Sequence, residues 1–188
     1  SSSYTSEYHK IGGIVGEVNN TDILNCFNYG DVSSGSYENV YIGGILGYCE
    51  TENIYVENCG NFGQVSTSAS VNSCGGIVGN LSYNSYVKNC VNYGNINGIS
   101  STSKGTYGEN GYGGIVGFSY GTVEQCINYG DLDGQACALG GIVGLTSAGE
   151  IKNNICFSST ISGYFTKSGS RYYYRYGPIH GDVCVNRS

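Results

Sequence analysis

"CINYGDLDG", residues 126–134, is one of four near-copies: "CFNYGDVSS" begins at Cys26, "CGNFGQVST" at Cys59 and "CVNYGNING" at Cys90. The shared formula is Cys, any residue, Asn, an aromatic, Gly, a polar residue and then an aliphatic one. A second phrase accompanies it, "GGIVG" at Gly12, Gly75, Gly113 and Gly140 and "GGILG" at Gly43. The closest two copies, at Gly113 and Gly140, mark out a complete repeat, so the wider intervals between the others carry insertions. The largest insertion lies in the polar, Gly-rich "NGISSTSKGTYGENGYGG". Self-similarity at such a period dictates architecture.

Between the two phrases sits a β-branched then charged element: "VENCG" from Val56, "VKNCV" from Val87, "VEQCI" from Val123 and "IKNNI" from Ile151. Each repeat therefore reads as three short β-type runs separated by Gly, Asn and Asp, the residues that tolerate turns. A helical repeat is excluded, because several glycines per unit would each cost a helix about 1 kcal/mol. Such short runs bury no apolar face alone. They do so if each repeat is one coil of a solenoid and the next coil lies on top.

The expectation is an all-β fold, a right-handed β-helix type of β-solenoid with about five coils. Residues 1–10 form the lead-in, 11–160 the repeats and 161–188 a Tyr-rich C-terminal cap or interaction segment, all within one domain of 188 residues. Coils about 4.8 Å apart give a rod roughly 25 Å tall. Equivalent residues become vertical neighbours. Cys26, Cys59, Cys90 and Cys126 form a column of thiols, and Asn28, Asn61, Asn92 and Asn128 a column of amides that pass hydrogen bonds between coils. Tyr29, Phe62, Tyr93, Tyr129 and Phe157 form an aromatic column, and Ile14, Ile45, Ile77, Ile115 and Ile142 an aliphatic one. Gly30, Gly63, Gly94 and Gly130 are expected to supply a positive φ. A bend at Gln125 turns Cys126 inward. In the last unit Asn154 takes the thiol position, Cys156 the amide position and Ser158 the glycine position, as an atypical terminal unit does.

Composition narrows the function classes. With 39% apolar and 12% charged residues the chain is too hydrophobic for disorder, and 19 Tyr with no Trp or Met favour strands. A net charge of −6 provides no basic face for nucleic acid or anionic lipid. No apolar run is long enough for insertion into a bilayer. Nine cysteines form no CxxC pair, so neither a metal nor another cofactor is expected, and the odd count leaves at least one thiol unpaired.

The phrases "GGIVG", "VKNCVNYGNI" and "VEQCINYGDL" resemble the GLUG-motif family, short repeats found in bacterial surface and secreted proteins and alongside immunoglobulin A1-cleaving metallopeptidases. The resemblance covers residues 11–160. It implies an extracellular or cell-surface β-solenoid and carries no activity with it. No HExxH sequence occurs, so the peptidase chemistry does not transfer.

Few residues offer chemistry. His9 and His180 stand at opposite ends of the rod, too far apart to share a site. Asp131 and Asp133 place two carboxylates on one strand face, a spacing that polysaccharide-cleaving β-helices use, although the equivalent positions elsewhere read as polar turn residues. Sequons stand at Asn19, Asn80 and Asn186. The segment Arg171, Tyr172, Tyr173, Tyr174, Arg175 and Tyr176 suits stacking on sugars or on a neighbouring subunit, or a strand that covers the last coil. The functional expectation is a non-catalytic extracellular structural or adhesive solenoid, able to form filaments by end-to-end self-association or to meet a cell-surface or glycan partner. The alternative is a β-helix that binds or cleaves polysaccharide.

Overall fold

The structure, a computed structural model, describes residues 8–35, 39–68, 71–99, 111–135, 138–162, 175–177 and 180–183. It is a β-solenoid built entirely of parallel strand pairs. Each coil has five short strands, and the strands stack into five sheets, named A to E here in chain order. In the second coil they are Asn39–Gly43, Leu46–Cys49, Tyr55–Glu57, Gly60–Asn61 and Val65–Thr67. Sheets A and B contain six strands and sheets C, D and E five. The additional pair is Arg175–Gly177 on Ala138–Gly140, and His180–Val183 on Val143–Thr146. Arg171 to Tyr174 and Asn186 lie outside the described residues.

The register is that of the repeat. Val87 pairs with Val56 and Val123, and Asn92 with Asn61 and Asn128. Five strands per coil replace the expected three runs, and the break between sheets C and D is made by a residue in the left-handed region. Asn25, Asn58, Asn89, Gln125 and Asn153 have φ of 57, 54, 51, 56 and 58°, one in every coil between sheets C and D. Asn is the non-glycine residue best suited to that region, since its short amide bonds locally. The break at Gln125 leaves Cys126 and Val123 both buried, where uninterrupted alternation would have exposed one of them.

The repeat glycines have a different role from the expected one. None of Gly30, Gly63, Gly94 and Gly130 has a positive φ. A Cβ on Gly63, Gly94 or Gly130 would instead collide with the carbonyl oxygen of the glycine in the preceding coil, so the requirement is close backbone approach. At Gly30, the first of the column, the space is open.

Two main clusters fill the interior. One joins Ile45, Ile77, Ile115 and Ile142 with Val56, Val87, Val123 and the thiols; the other joins Val65, Ile96, Leu132, Ile42 and Tyr112. Both are closed laterally by the coil itself and vertically by the neighbouring coils.

Candidate functional site

The amide column lies inside. Nδ2 of Asn28 donates to Oδ1 of Asn61 at 2.9 Å, Asn61 to Asn92 at 2.9 Å and Asn92 to Asn128 at 2.8 Å. Each Nδ2 also donates to the carbonyl two residues on, in Gly30, Gly63, Gly94 and Gly130. Asn61, Asn92 and Asn128 are wholly buried, so these bonds replace water. The "GG" phrase makes room for them: a Cβ on Gly44, Gly76 or Gly114 would strike the side chain of Asn61, Asn92 or Asn128. The two sequence motifs are therefore the two halves of one packed contact. Nothing in their linear spacing reveals it.

The thiol column is also internal. Cys59, Cys90 and Cys126 each donate to a carbonyl of their own coil at 3.2 Å, in Glu57, Lys88 and Glu124, and approach one of the preceding coil, in Ile23, Val56 and Val87, at 3.5–3.6 Å. Hydrogen bonding to the next thiol, then burial, pushes the pKa of Cys59 and Cys90 well above the usual thiol range, and burial alone does so for Cys74. Such thiols are poor nucleophiles. The seven described cysteines are all free.

The aromatic column lies outside. Tyr29, Phe62, Tyr93, Tyr129 and Phe157 stack face to face, with centroids 4.7, 5.1, 4.7 and 5.1 Å apart and planes within 14°. All five are exposed. Two residues earlier on the same outer face of sheet D come Phe27, Gly60, Val91, Ile127 and Ile155. Together they form an apolar stripe five coils, about 20 Å, long and two side chains wide except at the buried Gly60. Exposed contiguous apolar surface of this kind marks interaction sites. Because the ring faces are taken up by one another, the stripe presents ring edges and aliphatic groups to solvent.

The stripe is bordered by polar columns. On one side are the exposed Asn25, Asn58, Asn89, Gln125 and Asn153. Beyond them Glu124 lies 2.9 Å from Lys88 and 3.6 Å from Lys152, a vertical ion pair ladder on sheet C; its bond to Lys88 holds the Glu124 carboxyl below the usual range. On the other side, Asp131 accepts from the Thr160 N–H at 2.9 Å, the Ser159 N–H at 2.7 Å and the Ser159 hydroxyl at 2.9 Å, which keeps it ionised to lower pH than an ordinary aspartate. Asp133 accepts from Ser162. Both carboxylates are thus tied to the next coil.

The remaining candidates disperse. His9 is exposed on the first strand of sheet A, and His180 begins the last strand of sheet B. Asn19 is exposed and bonded to Glu50, whereas Asn80 is buried within a strand of sheet B. Arg175 and Tyr176 belong to the sixth strand of sheet A. Sequence reasoning passes over the outer Phe27 to Ile155 column because its residue type varies from coil to coil. Its period-2 relation to the aromatic column is the available signal.

No family of known proteins matches this chain, and neither a curated protein nor a solved structure does.

Proposed function

We propose that this protein is a non-catalytic structural and adhesive β-solenoid, working outside the cell or at its surface. The observation that carries the reading is the apolar stripe on the outer face of sheet D, whose aromatic column is exposed in every coil and which is bordered by amides on one side and by the Asp131 column on the other. An apolar centre within a polar rim is the anatomy of a contact surface. The buried polar side chains, by contrast, serve the stack: amides bond amides, and thiols bond carbonyls. Asp131 and Asp133, the carboxylates on which a polysaccharide-cleaving alternative rests, spend their oxygens on Ser159, Thr160 and Ser162. The extracellular setting comes from the resemblance of the repeats.

The test is adhesion. Beads coated with the protein are to be retained on apolar and cell-derived surfaces under flow, and Tyr93→Ser with Tyr129→Ser should lower retention several-fold with the fold intact by circular dichroism. Equal retention by a folded double variant defeats the adhesive reading. Depolymerisation of a polysaccharide, lost on Asp131→Asn, defeats the non-catalytic one.

A further inference from the structure

The aromatic column on sheet D is not chemically uniform. Its stacked pairs are Tyr29 with Phe62, Phe62 with Tyr93, Tyr93 with Tyr129 and Tyr129 with Phe157. Phe62 separates Tyr29 from Tyr93, so the third pair is the one in which two phenols face each other. Its rings are also the most nearly parallel of the four, 3° apart with centroids at 4.7 Å. Tyr93 follows the strand Val91–Asn92 in the third coil and Tyr129 follows Ile127–Asn128 in the fourth. The backbone fixes both: the Tyr93 N–H donates to the Asn61 carbonyl and the Tyr129 N–H to the Asn92 carbonyl, each at 2.8 Å. The buried amide bond from Asn92 to Asn128 lies one residue before the two rings.

The surroundings direct oxidation to these phenols. Tyr93 is 47% and Tyr129 41% exposed, and rings stacked face to face turn their edges, with the carbons ortho to the hydroxyl, toward water. The chain contains neither Trp nor Met, the other large side chains that oxidants attack. The thiols nearest in sequence, Cys90 and Cys126, are buried on the inner side and engaged with carbonyls, so a reagent in water meets the phenols first. Other tyrosine pairs are less well placed. Tyr55 and Tyr86 on sheet C are wider apart, at 5.1 Å, Tyr83 and Tyr120 are tilted by 32°, and Tyr41, which stacks on Tyr8 and Tyr48, is buried.

We propose that Tyr93 and Tyr129 are an oxidative coupling site, where hydrogen peroxide acting through a haem peroxidase joins the two rings into dityrosine and so staples the third coil to the fourth. Each ring gives up one electron and its hydroxyl proton, leaving a phenoxyl radical whose unpaired density is shared with the ortho carbons. Two ortho carbons pair these electrons in one new C–C bond, and the hydrogen on each moves to the phenol oxygen, which restores both aromatic rings. One hydrogen peroxide is reduced to two waters, and the protein loses two hydrogens in all. Rings held 4.7 Å apart meet at an effective concentration far above that of a second molecule, so coupling within the chain outruns coupling between chains. The bond closes a loop of one coil and restricts the unfolded chain as a disulfide does. This inference does not rest on the adhesive reading: one is read as a covalent bond, the other as retention on a surface, and either can fail alone.

The test treats the whole, dilute protein with a haem peroxidase and hydrogen peroxide. Dityrosine fluorescence is expected in the monomer band of a denaturing gel, with a yield per chain that does not change with protein concentration. Mass spectrometry of the digest should find the fragments holding Tyr93 and Tyr129 joined, two hydrogens lighter than their sum, as the main cross-link. The cross-linked monomer should unfold at higher urea than the untreated protein. Tyr93→Phe and Tyr129→Phe should each remove the joined fragment, and both variants fold because the same column carries Phe62 and Phe157. Treatment in denaturing urea should lower its yield by about tenfold or more, since the rings are no longer held together. Cross-links only between chains and rising with concentration, an equal yield of the Tyr93 to Tyr129 bond in urea, oxidised folded protein without that bond, or an unshifted urea midpoint overturns the proposal.

Discussion

Replacing Asn92 by Ala tests the amide ladder at its centre. Four hydrogen bonds go: the two to neighbouring amides, and those with the N–H and C=O of Gly94. Asn61 Nδ2 keeps its bond to Gly63, and Asn128 Oδ1 keeps that from Gly130. The two groups of Gly94 lose these partners at a buried position. A stranded buried polar group costs about 1–3 kcal/mol, so the variant should lose about 2–6 kcal/mol. Asn28→Ala breaks the corresponding bonds with Gly30, which is exposed, so water replaces them; it strands only one buried group, the Asn61 Oδ1 that accepts from Asn28, and the cost falls to about 1–3 kcal/mol, half that at position 92. Asn92→Asp sharpens the test. A buried carboxylate facing the Asn128 oxygen has no proton to give, so at neutral pH it should be worse than Ala. Its folded pKa is then raised above the unfolded value of about 3.9, so its stability is recovered below that pH and lost as pH rises. Equilibrium unfolding in urea, followed by circular dichroism at pH 7 and pH 3.5, measures all three. Equal losses at positions 28 and 92, or an Asp variant indifferent to pH, would refute the ladder as a source of stability.

Gly94→Ala, which drives a methyl into the Gly63 carbonyl, should cost about 3 kcal/mol or more, whereas Gly30→Ala, with open space and an ordinary φ, should fall within about 1 kcal/mol of the parent in the same assay. The buried thiols make the fold sensitive to alkali: Cys59, Cys74 and Cys90 stay protonated when folded but ionise near the ordinary 9.0 when unfolded, so stability holds below pH 9 and drops above it. The slope is up to about 1.4 kcal/mol per pH unit per thiol, and a urea midpoint unchanged between pH 8 and pH 10.5 would contradict it. In the native protein a thiol reagent should label the half-buried Cys26 and Cys156 well before Cys59, Cys74 and Cys90, as peptide mapping by mass spectrometry would report. Asn89→Val, placing a β-branched residue at φ 51°, should cost about 1–3 kcal/mol, and Asn89→Gly should cost far less.

Periodicity made the coil and its columns legible, because identical residues at equivalent positions have few other ways to satisfy one another than by stacking. What it left hidden is conformational. Asn25, Asn58 and Asn89 sit between a charged or aliphatic residue and a cysteine and read as the middle of a strand, yet a single left-handed residue there divides each run in two. Gly94 and its equivalents look like turn glycines, but their need for a missing Cβ comes from another coil. The contact between Gly76 and Asn92 likewise joins separate phrases of one repeat, which only the closed coil brings together.

The placement of length variation explains why the chain retains polar ladders inside its core. From the end of the sheet A strand to the start of sheet E the coil hardly changes in length, the shortest path running from Gly113 to Leu132 and the longest from Gly43 to Val65. The return from sheet E to sheet A varies several-fold, from the tight link of Gln135 to Ala138 up to the long one of Ser162 to Arg175. Loop closure is tolerant of length, each doubling costing about 0.6 kcal/mol, so insertions at that one corner are cheap. They also erase any memory of register, since a coil that re-enters after a long loop has no turn geometry to align it. Aliphatic columns alone would not restore alignment, because a two-residue slip again sets β-branched residue against β-branched residue. Asn61, Asn92 and Asn128 forbid the slip: displaced along the strand, each amide would face apolar groups with no partner at about 1–3 kcal/mol apiece. The ladder thus fixes vertical alignment on sheet D, and that alignment is what lines the outer aromatic and aliphatic residues into one continuous stripe.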